Sequence, residues 1–277
     1  MFPIGKEDLA IRIIIAFLIA MLAASLSPYA LILTYIVFGY PHFMMALLYA
    51  HDGGRLSQSR MWVIGMLAIV LPFLAFQIKL TILLASIGLF FGLHFVIDEI
   101  RLLKSAYSPL LLLPFFGFFA LYSALLMEYL THVSFVVPAM CLAALSSGIW
   151  LIFFRKKDGG GGVGIVLWTL ALALMYVFLP VHTPVFWFGF FALTHYALWY
   201  VLSLIKEVRA GRGKRYYIRT LYTHGIAIGA FLVSTQFSIP ILGLLFVPVG
   251  FYGLTFLHIG TSIRLQDITH LFDFKKV

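Results

Sequence analysis

Residues 29–50 read YALILTYIVFGYPHFMMALLYA, an apolar run without Asp, Glu, Lys or Arg that ends at His51 and Asp52. A helix rises about 1.5 Å per residue and the hydrocarbon core of a bilayer is about 30 Å thick, so roughly 20 such residues suffice to span it. Pro41 lies inside the run. It removes one helical donor and frees the carbonyl near Val37, opening the local kink that membrane helices tolerate and that makes room for a ligand or water.

Working outward, the same pattern recurs along the chain. It predicts helices near 10–27, 29–50, 61–77, 80–100, 107–127, 133–154, 163–180, 184–206, 217–235 and 240–262. The expected fold is all-α, a polytopic integral membrane helical bundle of about ten transmembrane helices. Composition agrees, since 63% of residues are hydrophobic and only 10% are charged, against about 25% charged in an ordinary soluble domain.

The net charge of +9 would suggest nucleic acid as the partner of a soluble protein. In a membrane protein basic residues instead report topology, because cytoplasmic loops concentrate Lys and Arg. If both termini are cytoplasmic, all of the 19 Lys and Arg except Lys79 fall on the cytoplasmic side. A multi-pass protein of the cell inner membrane is therefore expected, with the lipid bilayer and not nucleic acid as its partner. Glu7 and Asp8 precede the first apolar run, and no convincing small-residue cleavage site follows it, so that run is read as a retained span. Cys141 is the only cysteine, which excludes an internal disulfide and a cysteine-rich metal site.

External connections are short, as at Ser27 to Tyr29 and Gln236 to Pro240, so successive helices pair as antiparallel hairpins. Residues 1–277 read as a single integral membrane domain. A cytoplasmic loop, Arg155 to Gly162, carries the run Gly159 to Gly162 and is read as a flexible link between sub-bundles 1–154 and 163–277. A second, basic loop from Lys206 to Arg219 is expected at headgroup level.

Ionisable groups inside hydrocarbon are costly and mark functional sites by default, although a lone neutral histidine packed between helices is common. Here His42, His94, His195 and His258 lie on helices that all run toward the cytoplasm, each within about half a helix of the next cytoplasmic charge. One metal site explains all four, where packing needs four separate explanations. His94 and Asp98 stand four apart on one helical face, so the carboxylate can fix the imidazole's orientation and tautomer. The competing reading pairs Asp98 and Glu99 with Arg101 or Lys104 at the headgroups. His51 lies about 180° around the helix from His42 and is expected at the interface. His224 is the substitute ligand, and His132, His182 and His270 fall in loops or interfaces.

Imidazoles with few carboxylates favour iron or copper chemistry over magnesium or calcium, with zinc also accommodated. No HExxH, CxxC, P-loop or GxSxG occurs, so zincin proteases, P-loop nucleotide enzymes and serine hydrolases lose their usual support. The histidine boxes of membrane desaturases are missing too.

The segments FGYPHFMMALLYAHD (38–52), LHFVIDE (93–99) and LTHYALWY (193–200) together resemble the Brp/Blh family of integral-membrane β-carotene 15,15'-dioxygenases. The resemblance implies a helical membrane enzyme that holds non-haem iron (Fe2+), with His42, His94 and His195 among the ligands, and cleaves a carotenoid with O2. His258 enters from the depth argument alone. Three positions differ from the family pattern. The family's Asp-His order becomes His51-Asp52, its HFG becomes His94-Phe95-Val96, and Trp199 stands where a second helical histidine would be.

The expected function is thus a membrane-embedded metal-dependent oxygenase acting with O2 on a carotenoid or another apolar lipid. The 28 Phe can wall an aromatic chamber, although most should simply face lipid. Two other readings use the same residues. One is a haem-binding electron-transfer subunit with two histidines as axial ligands. The other is a transporter or accessory subunit of a membrane complex, in which the histidines line a proton path or pack.

Overall fold

The computed structural model describes residues 6–54, 56–102, 109–131, 135–154, 161–179 and 183–262. Among them every regular element is helical. The elements are α1 (Lys6–Ser25), α2 (Pro28–Asp52), α3 (Gln58–Ala75), α4 (Leu80–Leu102), α5 (Leu112–Thr131), α6 (Val136–Phe153), α7 (Gly161–Phe178), α8 (Pro184–Arg209), α9 (Gly213–Phe237), α10 (Pro240–Leu245) and α11 (Pro248–Ser262). Four helices, Pro28–Asp52, Gln58–Ala75, Val136–Phe153 and Val185–Arg209, are long and apolar enough to cross a membrane. Their outward faces are apolar as well. Trp62, Met66 and Ile69 on α3 and Leu145 and Ile152 on α6 are exposed, an arrangement suited to lipid and not to water. These features mark a membrane protein.

Local chemistry accounts for the boundaries. Ser27 and Ser57 cap α2 and α3, their hydroxyls accepting from the amides of Ala30 and Arg60. Proline stands at the first turn of α2 and α10, where its missing amide costs nothing. Pro41 and Pro72 lie inside α2 and α3 without ending them.

The helix expected over 240–262 is instead two helices, α10 and α11, parted at Phe246 and Val247. Pro248 explains the break, because its ring disfavours helical geometry at Val247 and it has no amide to donate. A break within an apolar region leaves helix-end carbonyls in need of donors. One of them, the carbonyl of Leu245, accepts from the hydroxyl of Tyr40 on α2.

The chain divides into two compact units, one centred on Gly88–Trp187 and the other formed by Ile14–Ile87 and Phe188–Ser262. Their boundaries fall within α4 and α8 and do not coincide with the sub-bundles 1–154 and 163–277 suggested by the glycine-rich loop. Packing between helices distant in sequence draws the division, whereas a loop's composition reports only local chain stiffness. In the first unit α5 packs on α6 and α7, and Phe95 stacks on Phe118 with ring centroids 5.5 Å apart.

In the second unit α11 packs on α3 and α2, and α2 also packs on α9. Small residues let these backbones approach, as is usual where lipid supplies no hydrophobic drive between helices. A Cβ at Gly253 on α11 would stand 2.8 Å from the carbonyl oxygen of Leu71 on α3, and one at Gly39 on α2 would stand 2.6 Å from the ring of Phe251 on α11. Charged residues close the end of α2, where Asp52 pairs with Arg215, at 3.0 Å, and with Arg219 of α9.

Overpacking costs typically about 1–3 kcal/mol, so Gly253→Leu should lower the thermal midpoint of the detergent-solubilised protein. Gly225→Leu, at an exposed α9 position with no atom within 4 Å of its added Cβ, should leave the midpoint unchanged. Fluorescence-detected size exclusion after heating reads both.

Candidate metal centre

Three helices of the second unit each bring one histidine to a common point. His42 comes from α2, His195 from α8 and His258 from α11. Each offers one ring nitrogen, and the three nitrogens lie within 4.8 Å of one another. All three side chains are buried, His42 being 1% exposed, His195 4% and His258 6%. The ring centroids of His195 and His258 stand 4.9 and 4.8 Å from that of His42. An ion about 2.1 Å from each nitrogen requires nitrogen separations of roughly 3.0–3.4 Å in octahedral or tetrahedral geometry. The observed separations therefore need at most about 1.8 Å of closure, within the reach of χ adjustments.

Aromatic rings hold this group in place. Phe43, next in sequence to His42, stacks on His258 at 4.5 Å and on Phe251 at 5.5 Å. Phe251 and His258 are seven residues apart and so share one face of α11. On α8, Tyr196 and Trp199 both place their rings 4.8 Å from His42. Trp199 lies four residues beyond His195, one turn along the same face. Sequence reasoning noted Trp199 only as a departure from a histidine pair and did not identify Phe43 or Tyr196 as walls. The signal available was helical spacing, which places a residue on a face without showing what that face meets.

Three of the four histidines singled out in the sequence thus converge. The fourth, His94, belongs to the first unit and is described there. It is fully buried, and its Nε2 lies 3.5 Å from Oδ2 of Asp98, which is partly buried. This is the one-face arrangement that the four-residue spacing implies. Glu99, Arg101 and Lys104, the residues of the competing headgroup reading, lie outside those with described side chains.

Two of the remaining histidines are engaged elsewhere. His51 is exposed at the end of α2 with Nδ1 2.9 Å from the Leu56 carbonyl. His224 places Nδ1 2.8 Å from the Thr220 carbonyl, an interaction within α9. His132, His182 and His270 lie outside the described residues.

Three imidazoles from three helices, with no carboxylate among them, form a donor set suited to borderline transition metals. Three protein ligands also leave coordination positions for an exogenous molecule, as catalytic metal sites require. Comparison with protein-family models, with curated proteins and with solved structures found no match to this chain.

The arrangement makes the histidines unequal. Replacing His42, His195 or His258 with Ala should remove most of the bound transition metal measured by plasma mass spectrometry. His51→Ala and His224→Ala should retain it, because their rings serve local carbonyls.

Proposed function

We propose that the chain is a membrane-embedded, metal-dependent oxygenase that uses O2 at a non-haem ferrous centre and acts on an apolar lipid. The observation that carries this reading is the buried His42, His195 and His258 group, whose ligand nitrogens fall within 4.8 Å of one another. Ferrous iron suits imidazole donors and binds O2 at open positions, and copper is the nearest alternative. Iron at such a site would supply redox activation of O2. The surrounding side chains hold the histidines, exclude water and present an aromatic surface to an apolar substrate.

The resemblance of three segments to the Brp/Blh carotenoid dioxygenases suggests a polyene as the first substrate to try. A bare ion fits the packing better than a haem does. Axial ligation would require a porphyrin plane between two opposed imidazoles, whereas Phe43, Tyr196 and Trp199 pack closely around the histidines. The proposal includes a bundle of ten spans in the cell inner membrane with both termini cytoplasmic, supported by the one-sided Lys and Arg distribution.

Metal analysis and an optical spectrum of anaerobically purified protein test the centre. The expected result is stoichiometric iron without a Soret band, and a Soret band would replace this reading with the haem one. Iron-loaded protein in lipid nanodiscs should consume O2 when β-carotene is supplied. Absence of metal from stable, inserted protein would favour the accessory-subunit alternative. Cysteine labelling in a Cys141→Ser background should place the Arg155 to Gly162 loop on the cytoplasmic side. His94→Ala, assayed for iron in parallel, separates the three-histidine group from the four-histidine set expected from sequence.

A further inference from the structure

A redox-active ion beneath three buried imidazoles cannot touch a reductant at the protein surface. Electron transfer weakens steeply with distance, so buried redox centres are served by intermediate carriers, and among side chains tryptophan and tyrosine are the readily oxidised ones. One such pair lines the way out of this site. The indole of Trp199 lies 4.8 Å from the His42 ring, centroid to centroid, and the phenol of Tyr49 lies 5.7 Å further on. Tyr49 is only half-buried. It lies within the electrostatic reach of Glu207, Arg219, Arg212 and Asp52, of which Asp52 and Arg219 join α2 to α9 and Glu207 and Arg212 pair across the α8–α9 turn.

We propose that Trp199 and Tyr49 form an electron relay between the metal centre and the charged surface at the ends of α2 and α8. The proposal rests on the metal reading above. In each step Trp199 gives one electron to the oxidised site and becomes an indole radical cation. Tyr49 then gives one electron to Trp199 and releases its phenolic proton to surface water, leaving a neutral tyrosyl radical. A one-electron donor at the surface, of the quinol or reduced-flavin class, returns one electron, and one proton follows to restore the phenol. Phenylalanine at either position would break the relay, because its ring is far harder to oxidise.

The placement explains a feature that ligation leaves aside. Trp199 occupies the helical position one turn beyond His195, where another imidazole would add a ligand, and its ring meets His42 edge-on at 88°. A residue kept only to fill space there need not be oxidisable, and its partner on the outward side need not be a phenol.

The test uses the full chain in nanodiscs, loaded with Fe2+, its iron content measured, and treated with hydrogen peroxide before rapid freezing. Each peroxide reduced to two waters takes two protons and two electrons, one electron from the ferrous ion and one from the relay. Electron paramagnetic resonance should show a tyrosyl signal in the unaltered protein. Tyr49→Phe should lose the Tyr49 oxidation products and leave a tryptophan radical, and Trp199→Phe should lose both, with oxidation shifting to His42 and to Tyr196, whose ring also stands 4.8 Å from His42, in peptide mass spectra. Trp199→Tyr, which keeps an oxidisable ring, should restore the Tyr49 signal. If iron binds but radical and oxidation products are the same in Trp199→Phe as in the unaltered protein, the relay is wrong and the metal reading stands. If no iron binds, both fall together.

Discussion

The close approach of α11 to α2 and α3 is the constraint on which the histidine group depends. In lipid, helices gain little by hiding apolar surface from one another, so their association relies on contact at short range. Gly253 lets α11 meet the backbone at Leu71, and Gly39 admits the ring of Phe251. Phe251 then stacks on Phe43, and Phe43 on His258. The histidine-bearing face of α11 is thereby fixed by contacts that are themselves apolar.

The break before Pro248 serves the same end. A continuous helix over 240–262 would carry the direction of its first turns through to His258. Interrupting it lets α11 take its own course, and the hydroxyl of Tyr40 satisfies a carbonyl at the end of α10. Tyr40 and His42 are both on α2, so one helix supports the break and carries a histidine of the group. Backbone hydrogen bonding in a dry environment and placement of the site are in this sense a single problem.

Burial also shapes the chemistry. Neutral imidazoles are among the few metal ligands that can be placed in hydrocarbon without stranding a charge, and a divalent ion held by three of them would leave its charge to be met by whatever entered its other positions. An aromatic wall cannot neutralise it.

Much of the architecture could be read from residue order. Apolar runs such as 29–50, bounded by capping serines and charged ends, are local properties, and α2 and α8 begin within a residue of their expected starts. The break at Pro248 was legible in principle from proline chemistry, yet the apolar continuity of 240–262 outweighed it. His42, His195 and His258 could be nominated because an ionisable residue in hydrocarbon is conspicuous wherever it stands, and His94 with Asp98 because a four-residue interval puts both on one helical face. Which histidines meet one another could not be read in this way. That choice rests on rotation about each helix axis and on glycine-sized gaps between helices far apart in the chain, and the walls formed by Phe43, Tyr196 and Trp199 rest on the same quantities. Sequence alone determined an apolar helical membrane protein with histidines inside its apolar helices, because hydrophobic run length and helical period are local. Only the tertiary structure decided that His42, His195 and His258 form one group, because the packing of non-neighbouring helices sets the distances between them.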